Sequence, residues 1–494
     1  MRYSPATMRR YLLAIAMIGC ASGGRPGSEV DANGGDGNRP VDADTCGEPG
    51  QLPCDAVYVA KSGSDSATGG KTAPLKTIAA AIAMAGRLQP TRSVFVQAGT
   101  YSETITMSPG VDVYGGFDES WARNPSVTTT IAGGSPAVRF EAITVPTKLD
   151  AVSVTSSDGV SFGDSSIGIA ITSSQLIELH DVSVSPGIGA AGVDGSPGAN
   201  GANGTNGTGG QPGCEDSGIG CSSCPRPVGG GGGTSACGRS GGRGGDAGYG
   251  GSGGSAGAPG AGPSAGGSGA SASRGVGSEG AFGSTGFPGP QGIGGAEVGT
   301  FSGTSYVPAS GSNGVNGVNG NGGGGGGGGG GGTTNCDSYG SSGGGGGGGG
   351  CAGTAGTAGG GGGGSFGVLA VDSDVVIKSS TVTASRGGNG GRGGLGGIGG
   401  TGGTGGPGGP YGGNDEQDDG GNGGAGGVGG FGGAGGSGGG GGGGPSAALV
   451  CVGTTTITVP QSMLVAGTAG TGGSAPVHAG ANGTSANAIG CSFF

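Results

Sequence analysis

Glycine recurs at every third position from Gly189 to Gly213, and again from Gly242 to Gly260. After Gly388 the pattern tightens to Gly-Gly-X, with Arg392, Leu395, Ile398, Thr401, Thr404, Pro407 and Pro410 at the X sites; Ala425, Val428, Phe431 and Ala434 resume it. A period of three fits neither an α-helix nor a strand; it is that of an extended left-handed helix rising about 3.1 Å per residue. Collagen shares that period but needs abundant proline at X and Y, and this chain has 26 Pro in 494 residues. Two states remain open. One is a bundle of polyglycine-type helices, in which bare glycine faces let backbones approach and exchange hydrogen bonds. The other is disorder, since fixing each residue costs about 1–2 kcal/mol, and more for glycine. Leu395, Ile398, Val428 and Phe431 are expected to meet along one edge of such a bundle. The uninterrupted runs Gly322–Gly332 and Gly343–Gly350 have no side chain to set register and are expected to be mobile. The acidic NDEQDDGGN at 414–422 reads as the tip between two antiparallel tracts.

Composition narrows the rest. With 145 Gly, 4% aromatic and 10% charged residues, a side-chain core over the whole length is excluded. The formal net charge of −11 argues against nucleic acid as a partner. Arg9 and Arg10 precede the short apolar run Tyr11–Ile18, which suits a secretory signal and is too short for a membrane span. Met17-Ile18-Gly19-Cys20 resembles a bacterial lipoprotein box, with Met17 where Leu is usual. That resemblance implies lipid on Cys20, an exported protein, and, with Ala21 rather than Asp next, anchoring to the outer membrane. Eleven cysteines less Cys20 leave ten, an even number that suits disulfides in an oxidising compartment.

Residues 1–20 thus read as the signal and 21–54 as a flexible tether. Residues 55–184 have ordinary composition: VYVA at 57–60, VFVQ at 94–97 and later short β-rich bursts, with one helical stretch between. Pro74 can open that helix, which puts Ile78, Ile82 and Ala85 on one face and Gly86 at its end. Many short strands without crossover helices indicate an all-β sandwich, barrel or solenoid. YVAKSGSDSATGGKTAPLKTIAAAIAMA, then VFVQAGTYSETITM and GVDVYGGF, resemble the N-terminal part of right-handed parallel β-helix proteins of the pectin-lyase-like group. The resemblance implies an N-terminal capping helix over the first coils, and covers about 57–117 before fading towards 184.

Three later pieces align: 169–184, 369–384 and 450–465. Ile169, Leu369 and Val450 correspond, as do Ile171, Val371 and Val452; then Leu176, Val376 and Ile457; then Val182, Val382 and Met463. Each reads as one coil followed by a glycine-rich tract. The expected fold class is an all-β right-handed parallel β-helix with an N-terminal capping helix, interrupted by excursions that leave from one corner. The boundaries are 55–184 (β-helix), 185–365 (excursion with a cysteine cluster), 366–384 (coil), 385–445 (Gly-Gly-X excursion) and 446–494 (C-terminal coil and tail).

The chemistry is sparse. Gly70-Lys71-Thr72 suggests a phosphate loop, but position 65, where glycine is required, is Asp65. Gly-x-Ser-x-Gly recurs at 250–254, 262–266, 340–344 and 435–439, as glycine abundance alone dictates, and only His180 and His478 are present to serve a serine. His180 is expected to face solvent. Among the cysteines, Cys46 and Cys54 can close a small loop. Cys214, Cys221, Cys224 and Cys237 suit two disulfides better than zinc, which wants a second CxxC pair. Cys336 is expected to pair with Cys351, and Cys451 with Cys491. Asp415, Glu416, Asp418 and Asp419 form a weak calcium candidate; no cofactor is expected. These features point to a non-catalytic envelope or surface protein of structural, adhesive or matrix-contact role. Its partners would be the membrane, through the lipid, and polysaccharide or other matrix components. The alternative, from fold analogy, is a carbohydrate-active β-helix protein using Asp112, Asp150, Asp158, Asp164 and Arg139, though these form no paired cluster in the sequence. An outward ladder of carboxylates and a base on one sheet would favour it.

Overall fold

The computed structural model describes residues 52–216, 223–270, 274–334, 336–411 and 420–492. Asp55 to the C-terminus forms one compact unit; of the other, Met1–Cys54, only residues 52–54 are described.

The strands build three parallel sheets of seven, six and six strands. The first holds Ala56–Val59, Ser93–Gln97, Val113–Phe117, Thr147–Asp150, Ile177–His180, Asp374–Lys378 and Thr456–Thr458. The second holds Ile105–Thr106, Val138–Glu141, Ser166–Thr172, Ser365–Val371, Ser446–Val452 and Ser485–Ile489. The third holds Gly99–Tyr101, Thr129–Gly133, Ser153–Ser156, Ser183–Ser185, Thr381–Thr383 and Met463–Val465. The chain visits the first, third and second sheets in turn and repeats, which is a parallel β-helix. Inward residues such as Val94, Val113, Leu149, Leu179 and Ile377 stack coil on coil in a single core. Two corners are held in left-handed backbone: Ala142, Ser173 and Asp372 at one, Ala151, Asp181, Ser379 and Gln461 at the other. Buried hydroxyls follow these corners. Ser373 Oγ accepts the Ser174 N–H, and Ser380 Oγ accepts that of Val182.

Helix Ile78–Ala85 covers the first coil with Ile78, Ala81, Ile82 and Ala85 buried. It starts later than Pro74 suggests, because Thr77 is the N-cap: its side chain accepts from the Ala80 N–H. The Glu103 carboxylate accepts from the Ile78 and Ala79 N–H groups, and Asp65 from those of Lys76 and Thr77. The residue that breaks the phosphate-loop pattern is therefore a helix anchor.

The repeat is present, but its register differs from the sequence alignment. Ile169 pairs with Val368, not Leu369; Ile177, Val375 and Ile457 share a row; so do Val184, Val382 and Leu464. Leu369–Val450 and Val371–Val452 pair as aligned. A one-residue slip exchanges the faces of a strand, so Leu176, Val376 and Met463 are exposed at 54%, 38% and 57%. Strands 166–172, 365–371 and 446–452 are buried on both faces, since a hairpin of Thr300–Ser302 and Ser305–Val307 lays Phe301 and Tyr306 against Phe366.

All three excursions leave between the third and second sheets: 186–364, 384–445 and a third, 466–484, inside what sequence assigned to the C-terminal coil and tail. A serine closes each: Ser365 Oγ donates to Gly187 O, Ser446 Oγ to Ser385 O, and Ser485 Oγ to Gly467 O. Between these clamps the tracts pack as a lattice of extended helices. In the run Gly343–Gly350, successive N–H groups donate to three different neighbours: Gly343 to Gly245, Gly344 to Gly424, Gly345 to Thr208, then Gly346 to Gly242 and Gly347 to Gly427. The carbonyls of Gly343, Gly344 and Gly345 accept from Gly230, Gly326 and Gly406 in three further tracts. Each interior helix thus touches six others. Gly322–Gly332 and Gly343–Gly350 are buried throughout. This overturns both the disordered alternative and the expected mobility of the pure runs, because backbone bonds set the register that side chains cannot.

Glycine content per triplet tracks position in the lattice. Pure glycine lies inside, Gly-Gly-X on a face, and Gly-X-X at an edge. The X residues point outward: Leu395, Ile398, Val428 and Phe431 are 60%, 69%, 40% and 55% exposed. Asn and Thr at edge positions replace missing neighbours. Asn200, Asn203 and Asn206 accept from the Ile398, Thr401 and Thr404 N–H groups, and Asn313, Asn316 and Asn319 from those of Ala358, Ala355 and Ala352. Tracts 386–411 and 420–445 run antiparallel, as read from sequence, with Gly438 N donating to Gly394 O and Gly435 N to Gly397 O.

Candidate functional site

Charge concentrates on the outer face of the first sheet. In-register stacking makes one outward column of Tyr58, Phe95, Tyr114, Asp150, His180 and Lys378. The aromatic half lies under the loop 118–127: the Trp121 ring is 4.8 Å from that of Tyr58, and Phe117 stacks on Phe95 at 4.6 Å. Arg123 from the same loop reaches over Tyr114 and Phe117 and pairs with Asp150. His180 Nδ1 lies 2.8 Å from the second oxygen of Asp150, so the histidine expected to face solvent is a partner of a buried carboxylate. Lys148 Nζ is 3.1 Å from Glu178 and 3.9 Å from Asp150. Beside them, Asp112 accepts from the Lys148 N–H at 2.7 Å and from the Tyr114 hydroxyl at 3.3 Å. Burial pushes the Asp112 carboxyl up, against those bonds and the Lys148 charge; burial and then Asp112 push the Tyr114 hydroxyl up.

Of the residues offered for an enzyme, Asp112 and Asp150 meet here. Asp158 caps the Ile188 N–H, Asp164 the Ser161 N–H, and Arg139 lies on the second sheet. Sequence reading did not join Arg123, Lys148, Glu178 and His180 to these carboxylates; the signal was register, since the strand TKLD sits over IELH and pairs Lys148 with Glu178 and Asp150 with His180. Each ladder carboxylate has a cation or two donors. Among the described residues no group of three or more His, Cys, Asp or Glu is arranged to hold a metal ion. A cavity of about 360 Å³ opens beside the ladder, lined by Arg123, Asn124, Thr128, Asp181 and Ser183.

The disulfides staple the excursions. Cys214 bonds Cys224, Cys451 bonds Cys491, and Cys237 bonds Cys351 across 114 residues. The expected Cys336–Cys351 bridge is therefore corrected, and so is the expectation of two disulfides within the 214–237 cluster: Cys237 lies in a turn that meets Cys351 of a central tract. Cys336 and Cys54 are also disulfide-bonded. Cys20, Cys46, Cys221 and the calcium candidates Asp415, Glu416, Asp418 and Asp419 lie outside the described residues.

No curated protein and no solved structure matches the chain. One family model, described as "Protein of unknown function (DUF1565)", matches residues 61–223, the stretch that holds the capping helix, the first coils and the start of the glycine lattice.

Proposed function

We propose that this chain is a non-catalytic envelope or surface protein, similar in its coils to the pectin-lyase-like group and held to a bacterial outer membrane through lipid on Cys20. Its role is to present a rigid neutral surface for adhesion or matrix contact. The observation that carries this reading is the lattice: its interior is all backbone, and its X side chains stand outward at a fixed three-residue repeat. Rigid presentation lowers the ordering cost of contact with an extended matrix polymer.

The charged ladder supports a second reading, a carbohydrate-active β-helix protein. Carboxylates and basic groups share one sheet face beside a cavity. Against it, Asp150 is already shared among Arg123, His180 and Lys148, which leaves no free pair of carboxylates for acid–base work. The test exposes the chain from Ala21 onward to acidic and neutral polysaccharides, with and without calcium, and records retention and the ultraviolet signal of unsaturated sugars. Retention without product is expected. New unsaturated product overturns the non-catalytic reading and directs mutagenesis to Asp112, Asp150 and Arg123.

A further inference from the structure

The lattice has one face that the chain covers only in part. Tracts 386–411, 420–445 and 275–295 lie side by side: Gly438 N donates to Gly394 O between the first two, and Gly283 and Gly286 N donate to Val428 and Phe431 O between the last two. Near the β-helix this layer is roofed by the third excursion. Gly387, Gly390 and Gly393 N donate to Thr468, Thr471 and Ser474 O, and Gly473 and Gly470 N donate back to Gly441 and Gly444 O. Its return leg continues the roof, with Gly440 and Gly443 N donating to His478 and Ala481 O.

The roof stops for a steric reason. A Cβ on Gly440 or Gly443 would strike the Gly473 or Gly470 carbonyl. Three residues before Gly440, the same row carries Ser437, whose Oγ takes the Gly396 N–H that a further roof residue would otherwise take. Ala434, Phe431 and Val428 follow in that row, so no additional glycine helix can enter. Past the roof the layer presents side chains: Leu395 and Ile398 on one tract, Phe431 and Val428 on the next, and Phe282 on the third at 73% exposure. Within residues 395–407, 425–437 and 279–291, the one formal charge is Glu279. Large apolar side chains left exposed together on one uncharged face mark an interaction site.

We infer that this unroofed face is a self-association surface that stacks on the same face of a second copy. Three features select that occupant. All three tracts share one period, about 9.3 Å per three residues, so a copy turned about a two-fold axis brings ridges of identical spacing to fill the grooves. A two-fold contact uses the same patch on both partners and closes as a dimer. The near-absence of charge removes the like-charge repulsion that a self-contact brings to a chain of net charge −11. The face is also continuous with one already buried within the chain, beneath the roof.

Sedimentation equilibrium on the full chain tests this, beside the triple variant Phe282→Ser, Ile398→Ser, Phe431→Ser. All three positions are exposed, so the lattice stays intact, which matched circular dichroism and melting curves check. Concentration-dependent dimer in the parent and its loss in the variant are expected. A parent that stays monomeric up to its solubility limit overturns the inference, as does a variant that dimerises equally well. Restoring Phe431 alone in the variant returns part of the dimer if the face is responsible. A parent that stays monomeric and floats with neutral phospholipid vesicles, while the triple variant does not float, assigns the face to a membrane and also overturns it.

Discussion

The β-helix and the glycine lattice solve one problem in opposite ways. The coils bury side chains: Phe140, Leu149 and Ile169 are fully buried, and strand bonds follow from the stacking. The lattice buries backbone: the interior glycines have no side chain to pack, and along Gly343–Gly348 each N–H and C=O finds a partner in a neighbouring helix. In the first, specificity comes from shape. In the second it comes from the absence of any atom beyond Cα, together with the side chains that end the lattice where it should end. Mutations should therefore fail in opposite directions, by deletion in the coils and by addition in the lattice.

The largest effect should come from adding one side chain inside the lattice. A Cβ on Gly347 meets the Gly403 carbonyl at less than 3.0 Å, and six surrounding helices prevent relief. Gly347→Val should cost at least about 4 kcal/mol or abolish folding, read as a fall in melting temperature; a loss under about 1 kcal/mol would show that the helices can part. Truncation in the coils should follow closely. Leu149→Ala removes a fully buried side chain and should cost about 2–5 kcal/mol by denaturant unfolding, whereas alanine at the exposed Leu395 should change stability by no more than about 0.5 kcal/mol. Replacing Cys237 and Cys351 with serine should lower stability by about 2–4 kcal/mol, with local hydrogen exchange rising in the central tract before it rises in the coils.

A smaller effect separates the two edge devices. Asn203→Ala frees the Thr401 N–H at a surface edge and should cost about 1 kcal/mol; Asn203→Asp, which keeps the acceptor oxygen, should cost less. The smallest effect is electrostatic. Burial raises the Asp65 carboxyl, but bonds from the Thr77 and Lys76 N–H groups win and hold it below its ordinary value. A depressed carboxylate stabilises the fold above its unfolded pKa and loses that contribution as pH falls through the folded one. Asp65→Asn should therefore lower the neutral plateau and leave the acid end unchanged, so that the acid limb of the stability profile, read from melting curves against pH, is flatter than in the parent.

How much of this was legible before the fold is clearest in particular residues. Ile78, Ile82 and Ala85 gave the helix face, and the three-residue period gave the helix type of the tracts. The helix, the single exit corner and the antiparallel Gly-Gly-X pair follow from local pattern, while the helix's capping place followed from the family resemblance. Register did not: Leu176 and Ile177 are adjacent and both apolar, and only the stacked neighbours decide which one turns inward. The ladder stayed hidden for the same reason, since Asp150 and His180 are 30 residues apart and meet through pairing between coils. Cys351 likewise lies far from Cys237 in sequence and next to it in the lattice.

The sequence by itself determined which segments are coils and which are lattice, because periods of two, 3.6 and three are properties of the local chain. Only the tertiary structure decided that the lattice is ordered. A lone glycine tract has no internal hydrogen bonds to offset the entropy of straightening it. The same tract among six neighbours has partners for its N–H groups and for most of its carbonyls, and no sequence of a single tract carries that information.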